Sequence, residues 1–246
     1  MRHFESWREY SHFQYECSKQ RRFIRSEKSE RFLRAAAETS KSRAVTIPQG
    51  RIFWRAQLDH AWRREEQIDD SLPYPADRKR MTPWEDRALE GRANAKGIPC
   101  LYVATTKKTA MSEMRPWIGS LISVATFETT RVMNVINCSK HHKVGLTIYW
   151  EEPSPEEATE AVWAAIDEAF ADPVTKSDHV ADYAPTQTLA DLFRSEGFDG
   201  LVYKSPFGEE GFNMALFDLS SAKLKNCFLY KTKKVQYEFS DTGEYY

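Results

Sequence analysis

Four side chains have the chemistry and the sequence context of a polar reaction site, namely Arg55, Arg92, Glu113 and Ser205. The planar fork of an arginine guanidinium binds two phosphate oxygens at once. A carboxylate such as that of Glu113 stabilises positive charge that develops on a neighbouring group. Ser205 has no histidine nearby in the sequence, which favours a hydrogen-bonding role over a nucleophilic one. Each residue alone also has an ordinary structural explanation, such as an ion pair or a surface position.

Short apolar segments predict the elements that carry these side chains. Residues 52–56 are typical of a buried strand that contains the first arginine, and residues 98–104 predict a second strand. Thr105 or Thr106 then offers an N-cap for a helix that holds the candidate glutamate and stops at Pro116.

Further elements follow along the chain. Residues 1–42 are charged and predict helix, whereas residues 60–90 contain several prolines and predict a surface excursion with short helical pieces. Ser154 opens a capping box with proline at the first helical position, and another helix is expected from Pro185 to Gly197. Additional strands are expected at residues 121–128, 131–136, 146–150, 200–204, 214–218 and 223–230.

This irregular alternation of strands and helices predicts an α+β fold with a mixed sheet and a helical N-terminal extension. We expect the extension at residues 1–45, a catalytic domain at residues 46–230 and a C-terminal tail at residues 231–246. No glycine-rich phosphate-binding motif of the Rossmann or P-loop type occurs in the sequence. Such modes of nucleotide binding are therefore not expected.

Composition narrows the class of protein. Apolar residues make up 41% of the chain and aromatic residues 13%, which is enough for a sizeable core. No run of 18 apolar residues is present, so no membrane-spanning helix is expected. The four cysteines are widely separated and no apolar leader precedes them, which favours the cytoplasm as the location.

The net charge of −1 gives the chain no overall field that attracts nucleic acid. Residues 1–45 are locally basic, with eleven lysines and arginines against six glutamates. This segment is interpreted as a packing element with a solvated face, and the alternative is an arm that binds a partner or nucleic acid.

Three blocks, in order, resemble the RES domain family, which is named for an arginine, a glutamate and a serine. The first block is FWRA at residues 53–56, and the second is GRANAKGIPCLYVA at residues 91–104 with AMSEMRPW at residues 110–117. The third begins at Asp178 and includes GLVYKS at residues 200–205, followed by NMALF at residues 213–217. Glu90 and Ala93 depart from the family pattern, in which many compact members have glycine and tryptophan.

This resemblance implies a fold like that of ADP-ribosyltransferases and a toxin-like enzyme that degrades NAD⁺ by phosphorolysis or hydrolysis. It assigns Glu113, Arg55 and Ser205 to catalysis, with Glu113 stabilising the cationic ribose of the transition state. Nicotinamide leaves as a neutral molecule, so no general acid is essential. The expected NAD⁺-binding residues are Arg92, Tyr102, Asn94, Tyr183 and Asn213.

The resemblance also implies NAD⁺ as substrate, phosphate as co-substrate, no cofactor and a cognate antitoxin protein as partner. A homodimer is left open, and nucleic acid and membrane are not expected as partners. Cys138, His141 and His142 lack a second ligand pair at zinc spacing, so no metal is expected. The alternatives are a protein ADP-ribosyltransferase and, from another class, a non-catalytic module that binds nucleic acid or a partner.

Overall fold

A computed structural model describes residues 3–66, 69–140, 151, 153–172, 180–207, 211–236 and 243. The helices are α1 (Glu9–Lys19), α2 (Glu27–Ser40), α3 (Arg78–Met81), α4 (Lys107–Glu113), α5 (Pro155–Ala171) and α6 (Ala184–Ser195). The strands are β1 (Ala44–Ile47), β2 (Ile52–Gln57), β3 (His60–Glu65), β4 (Asp70–Pro75), β5 (Leu101–Ala104), β6 (Leu121–Thr129), β7 (Met133–Asn137), β8 (Gly200–Lys204), β9 (Phe212–Leu216) and β10 (Ala222–Lys231).

Eight of these strands form one mixed sheet in the order β1-β7-β8-β9-β5-β2-β6-β10. The β7–β8 pair is parallel, and the other neighbours in this sheet are antiparallel. Helices cover the sheet without the regular strand–helix–strand repeat of a doubly wound fold. The predicted α+β class and the helical N-terminal extension are confirmed.

Local sequence signals explain several helix ends. The Ser154 hydroxyl accepts a hydrogen bond from the Glu157 amide, and the Glu157 carboxylate accepts one from the Ser154 amide. This reciprocal capping box starts α5 as predicted. Gly197, just beyond the end of α6, has φ of +87°, the left-handed conformation expected of a glycine at a helix C-terminus.

The excursion predicted at residues 60–90 is wrong in its secondary structure. Its first part is a β-hairpin in which β3 pairs with β4, and only the four-residue helix α3 follows. Pro73 and Pro75 are accommodated because a two-stranded sheet consists of edge strands, where an amide donor is not required on the outer side. Strand β1 was not predicted, and the strand expected at residues 146–150 lies outside the described residues.

The N-terminal helices belong to the largest hydrophobic cluster of the described chain. Phe13 of α1 and Phe32 of α2 stack with ring centroids 4.6 Å apart. The same cluster contains Trp163 of α5, Phe193 of α6 and Ile136 of β7. The extension therefore covers the helices that in turn cover the β7–β8–β9 part of the sheet, and it shares their core.

We expect the substitution Phe32→Ala to lower the free energy of unfolding by about 3–5 kcal/mol, because a large buried ring is replaced by a cavity. The side chain of Phe32 is 1% exposed, whereas that of Phe23 in the nearby α1–α2 loop is 93% exposed. Phe23→Ala is therefore the matched control. Urea denaturation of both variants measures the difference, and equal stabilities would contradict the packing of α2 into the core.

The sheet opens at its centre. Strands β2 and β5 are joined by one residue pair, Trp54 with Ala104, whereas β2 pairs with β6 at six positions and β5 with β9 at four. Beyond Trp54 the two strands separate. The short helix α4 packs close to this opening against β2, β5 and β6.

Candidate active site

The opening between β2 and β5 forms a cleft of about 290 Å³. Residues of β2 and β5 form its two walls, α4 closes one side, and β8 and β9 contribute one side chain each. Its polar and aromatic lining consists of Trp54, Arg55, Gln57, Tyr102, Glu113, Tyr203 and Asn213. The structure thus brings Arg55 and Glu113, which are far apart in sequence, into a single cleft.

Glu113, at the end of α4, has one carboxylate oxygen held by two donors. The Ser205 hydroxyl donates to Oε1 at 2.7 Å, and the Asn213 amide nitrogen donates to the same oxygen at 2.6 Å. No described residue hydrogen-bonds Oε2. The carboxylate is therefore fixed through one oxygen and has the other available to a ligand in the cleft.

Two local features bring these donors to Glu113. The Thr106 hydroxyl accepts a hydrogen bond from the Thr109 amide and caps α4, which orients the helix that carries the carboxylate. Gly211 lies directly before β9, and a Cβ atom at this position would overlap the Thr109 side chain. Only glycine permits this close approach of the β9 end to α4. The approach sets Asn213 beside Glu113.

Arg55 lies in the gap between the separated strands. Its Nη1 atom donates to the carbonyl oxygen of Tyr102 at 3.0 Å, and its Nε atom is buried without a hydrogen-bond partner among the described residues. Burial lowers the pKa of Arg55 to about 10, because the charged form is deprived of water. The side chain is still a cation at neutral pH, and it lacks a carboxylate partner among the described residues.

Tyr102 faces the cleft, but its hydroxyl is already engaged. It donates to the Asn94 Oδ1 atom at 2.7 Å and accepts from the Ala93 amide at 2.9 Å. The Asn94 side-chain amide donates to the carbonyl oxygens of Leu89, Ala95 and Ile98. Asn94 therefore organises the loop before β5, and Tyr102 presents its ring to the cleft with its hydroxyl anchored behind.

Gly91 makes room for that anchored hydroxyl. A Cβ atom at Gly91 would lie 2.6 Å from the hydroxyl oxygen of Tyr102. We expect Gly91→Ala to cost about 1–3 kcal/mol of unfolding free energy, as overpacking of a tight site does. The double variant with Tyr102→Phe removes the clashing atom, so its loss should be smaller than the sum of the single losses. Additive losses in thermal denaturation would contradict this contact.

Arg92 and Tyr183 do not line the cleft. The guanidinium of Arg92 donates to the carbonyl oxygens of Phe170, Ala171 and Asp172 at the C-terminal end of α5. These carbonyls have no partner within the helix, so a cation there satisfies them. The carbonyl of Tyr183 accepts a hydrogen bond from the Thr186 hydroxyl at the start of α6. The fork of Arg92 is thus engaged with main-chain carbonyls in this structure, and the phosphate-binding role expected for it stays a prediction.

Sequence reasoning missed several residues of the lining, above all Trp54, Gln57 and Tyr203. Tyr203 is the neighbour of Asn213 in the antiparallel β8–β9 register, so the two side chains lie on one face. Strand alternation alone could have indicated Tyr203, because it stands two residues before Ser205, which directly follows the predicted strand at residues 200–204.

Comparison with protein-family models supplies the family. Residues 52–239 match the model of the RES domain. The chain belongs to the RES domain family. The matched range contains Arg55, Glu113 and Ser205, and α1 and α2 lie before it.

Among solved structures, this RES protein is similar to the crystal structure of the MbcT–MbcA toxin–antitoxin complex of M. tuberculosis. The identity is 14% and the TM-score 0.45, over 80% of this chain and 92% of the other. Comparison with curated proteins finds no match.

Two negative findings concern the described residues alone. None of their helices has the length and apolar character needed to cross a bilayer. They also contain no group of three or more histidine, cysteine, aspartate or glutamate side chains arranged to hold a metal ion. His141 and His142, considered above with Cys138, lie outside the described residues.

Proposed function

We propose that this RES protein consumes NAD⁺ by breaking the bond between nicotinamide and ribose, with phosphate or water as the acceptor. The observation that carries the proposal is the Glu113 carboxylate. One of its oxygens is fixed by Ser205 and Asn213, the other is open to a cleft, and the guanidinium of Arg55 borders the same cleft. Family membership agrees with this assignment.

The chemistry needs little beyond a well-placed negative charge. As the bond from the ribose C1″ atom to the nicotinamide nitrogen breaks, its electron pair goes to the pyridine ring and neutralises it. Positive charge then grows on the ribose, and a fixed carboxylate stabilises it without reorganisation. A phosphate oxygen or a water oxygen forms the new bond to C1″, and a water acceptor loses one proton to solvent.

Arg55 has a complementary role in this proposal. Its guanidinium is desolvated and has no carboxylate partner among the described residues, so binding of an anionic ligand to it is strongly favourable. Such a ligand is the pyrophosphate of NAD⁺ or an attacking phosphate. A dinucleotide held by Arg55 at one end and by Glu113 at the ribose spans the cleft.

Product analysis tests the function. Purified protein is incubated with NAD⁺ in phosphate-containing and phosphate-free buffer, and the products are identified by proton NMR and mass spectrometry. We expect release of nicotinamide together with ADP-ribose 1″-phosphate in phosphate, or with free ADP-ribose if water is the acceptor. ADP-ribose attached to protein would favour the transferase alternative. Unchanged NAD⁺ in both buffers would reject the proposal.

The biological role that we propose is that of a toxin restrained by a cognate antitoxin. Production of the intact chain in cells, with NAD⁺ and growth followed over time, should show NAD⁺ falling before growth stops. Arrest of growth with a normal NAD⁺ level would contradict this role even if the purified protein were active.

A further inference from the structure

Tyr203 is a buried tyrosine whose hydroxyl has no hydrogen-bond partner among the described residues. Its side chain is 5% exposed and borders the cleft. No described residue hydrogen-bonds its hydroxyl, and this oxygen is not among the polar atoms that the protein encloses completely. A buried hydroxyl without a partner costs free energy unless a ligand or water satisfies it.

The ring of Tyr203 packs in the buried core beside residues of the cleft. It packs against Phe170 of α5 with ring centroids 5.8 Å apart. In the β8–β9 register Tyr203 is paired with Asn213, and Ser205 follows two residues later. These two neighbours are the donors to Glu113, so Tyr203 lies next to the residues that hold the carboxylate.

The electrostatic environment keeps this hydroxyl protonated. Burial raises the pKa of Tyr203 above its ordinary value, the positive charge of Arg92 opposes this shift, and the negative charge of Glu113 adds to it. At neutral pH the Tyr203 hydroxyl is therefore protonated and can donate a hydrogen bond. Tyr102 differs in this respect, because Asn94 and the Ala93 amide already occupy its hydroxyl.

A hydrogen-bond donor and a carboxylate oxygen, which only accepts, thus line the same cleft. A vicinal diol complements this pair, since one of its hydroxyls can donate to the carboxylate while the other accepts from the tyrosine. We propose that Tyr203 is a substrate-binding residue whose hydroxyl donates to a hydroxyl of the ribose that Glu113 contacts. This assignment rests on the proposed NAD⁺ cleavage and adds to it a determinant for the ribose diol.

The test combines a variant with altered substrates. Initial rates are measured for the wild type and Tyr203→Phe with NAD⁺ and with its analogues that lack the 2″- or the 3″-hydroxyl of the nicotinamide ribose. We expect Tyr203→Phe to lower kcat/KM for NAD⁺ by about tenfold or more, the effect of losing one hydrogen bond to substrate. On one of the two deoxy analogues the variant and the wild type should have equal kcat/KM, because the partner of the hydroxyl is missing.

Tyr10→Phe is the matched control. Tyr10 is 3% exposed, and its hydroxyl is also buried without a hydrogen-bond partner among the described residues, but it lies in the helical layer and not in the cleft. Its variant should retain wild-type kinetics. Thermal denaturation of both variants checks that folding is intact.

The outcomes separate the two proposals. Wild-type kcat/KM in Tyr203→Phe would overturn the role of Tyr203 and leave NAD⁺ cleavage standing. A loss of equal size on NAD⁺ and on both deoxy analogues would also overturn it, because the hydroxyl would then have no ribose partner. A wild type that does not cleave NAD⁺ would reject the proposed function, and the assignment of Tyr203 with it.

Discussion

Replacing Glu113 by glutamine should reduce the rate of NAD⁺ cleavage by about 10²–10³-fold, the usual effect of removing one preorganised electrostatic group. Glutamine has the size of glutamate and can still accept hydrogen bonds from Ser205 and Asn213, so the wall of the cleft should persist. What disappears is the negative charge that faces the ribose as it becomes cationic. The loss should therefore appear in kcat, with a small change in KM.

Glu196→Gln is the control for this substitution. Glu196 follows α6 at an exposed position, so the same chemical change there should leave the kinetics unaltered. Both proteins should unfold at nearly the wild-type temperature. A Glu113→Gln protein that consumes NAD⁺ at the wild-type rate, in vitro or in cells, would contradict the proposed role of Glu113.

The second large effect is expected at Arg55. Arg55→Lys should lower kcat/KM by about 10²-fold, which corresponds to losing one to two charge-assisted hydrogen bonds to the ligand. The guanidinium reaches the Tyr102 carbonyl with Nη1 and still has other N–H groups for a ligand. A lysine ammonium is a single point of charge and cannot bind the Tyr102 carbonyl and the ligand at the same time. Arg51→Lys, an exposed change just before β2, is the control.

Removing the charge of Arg55 should lower activity but should not lower the free energy of unfolding. The pKa of Arg55 is lowered to about 10, so the folded state disfavours the cation relative to the unfolded state at neutral pH. This penalty is present at pH 7 and fades as the pH rises through about 10. Arg55→Met should therefore keep or raise the unfolding free energy while activity is lost. A strongly destabilised Arg55→Met protein would indicate that the hydrogen bond to Tyr102 outweighs the desolvation of the charge.

Local signals in the sequence were sufficient for much of the fold. The capping box at Ser154 specifies the start of α5, and the apolar run at residues 52–56 specifies β2, because both depend on neighbours within a few residues. The hairpin β3–β4 escaped prediction, since charges and Pro73 interrupt the alternation by which a strand is recognised.

The site could be anticipated only in part. The ordered blocks predict roles for Glu113, Arg55 and Ser205, but the sharing of one carboxylate oxygen by Ser205 and Asn213 depends on how β8, β9 and α4 meet in space. Arg92 shows most clearly why the position of a side chain could not be predicted from the sequence. Carbonyls at a helix end and phosphate oxygens are both acceptors for a guanidinium, and the sequence around Arg92 does not distinguish between them.

The opening between β2 and β5 constrains how specificity can vary in this protein. Each wall is the edge of a strand that faces the opening, and the opposite edge of that strand is hydrogen-bonded to a neighbouring strand. Strand β2 pairs with β6 at six positions, and β5 pairs with β9 at four. The main chain of the walls is thereby fixed in position. In a pocket made from loops, by contrast, the main chain varies readily among related proteins. Discrimination among ligands must then change by exchanging individual side chains along a rigid frame, one position at a time.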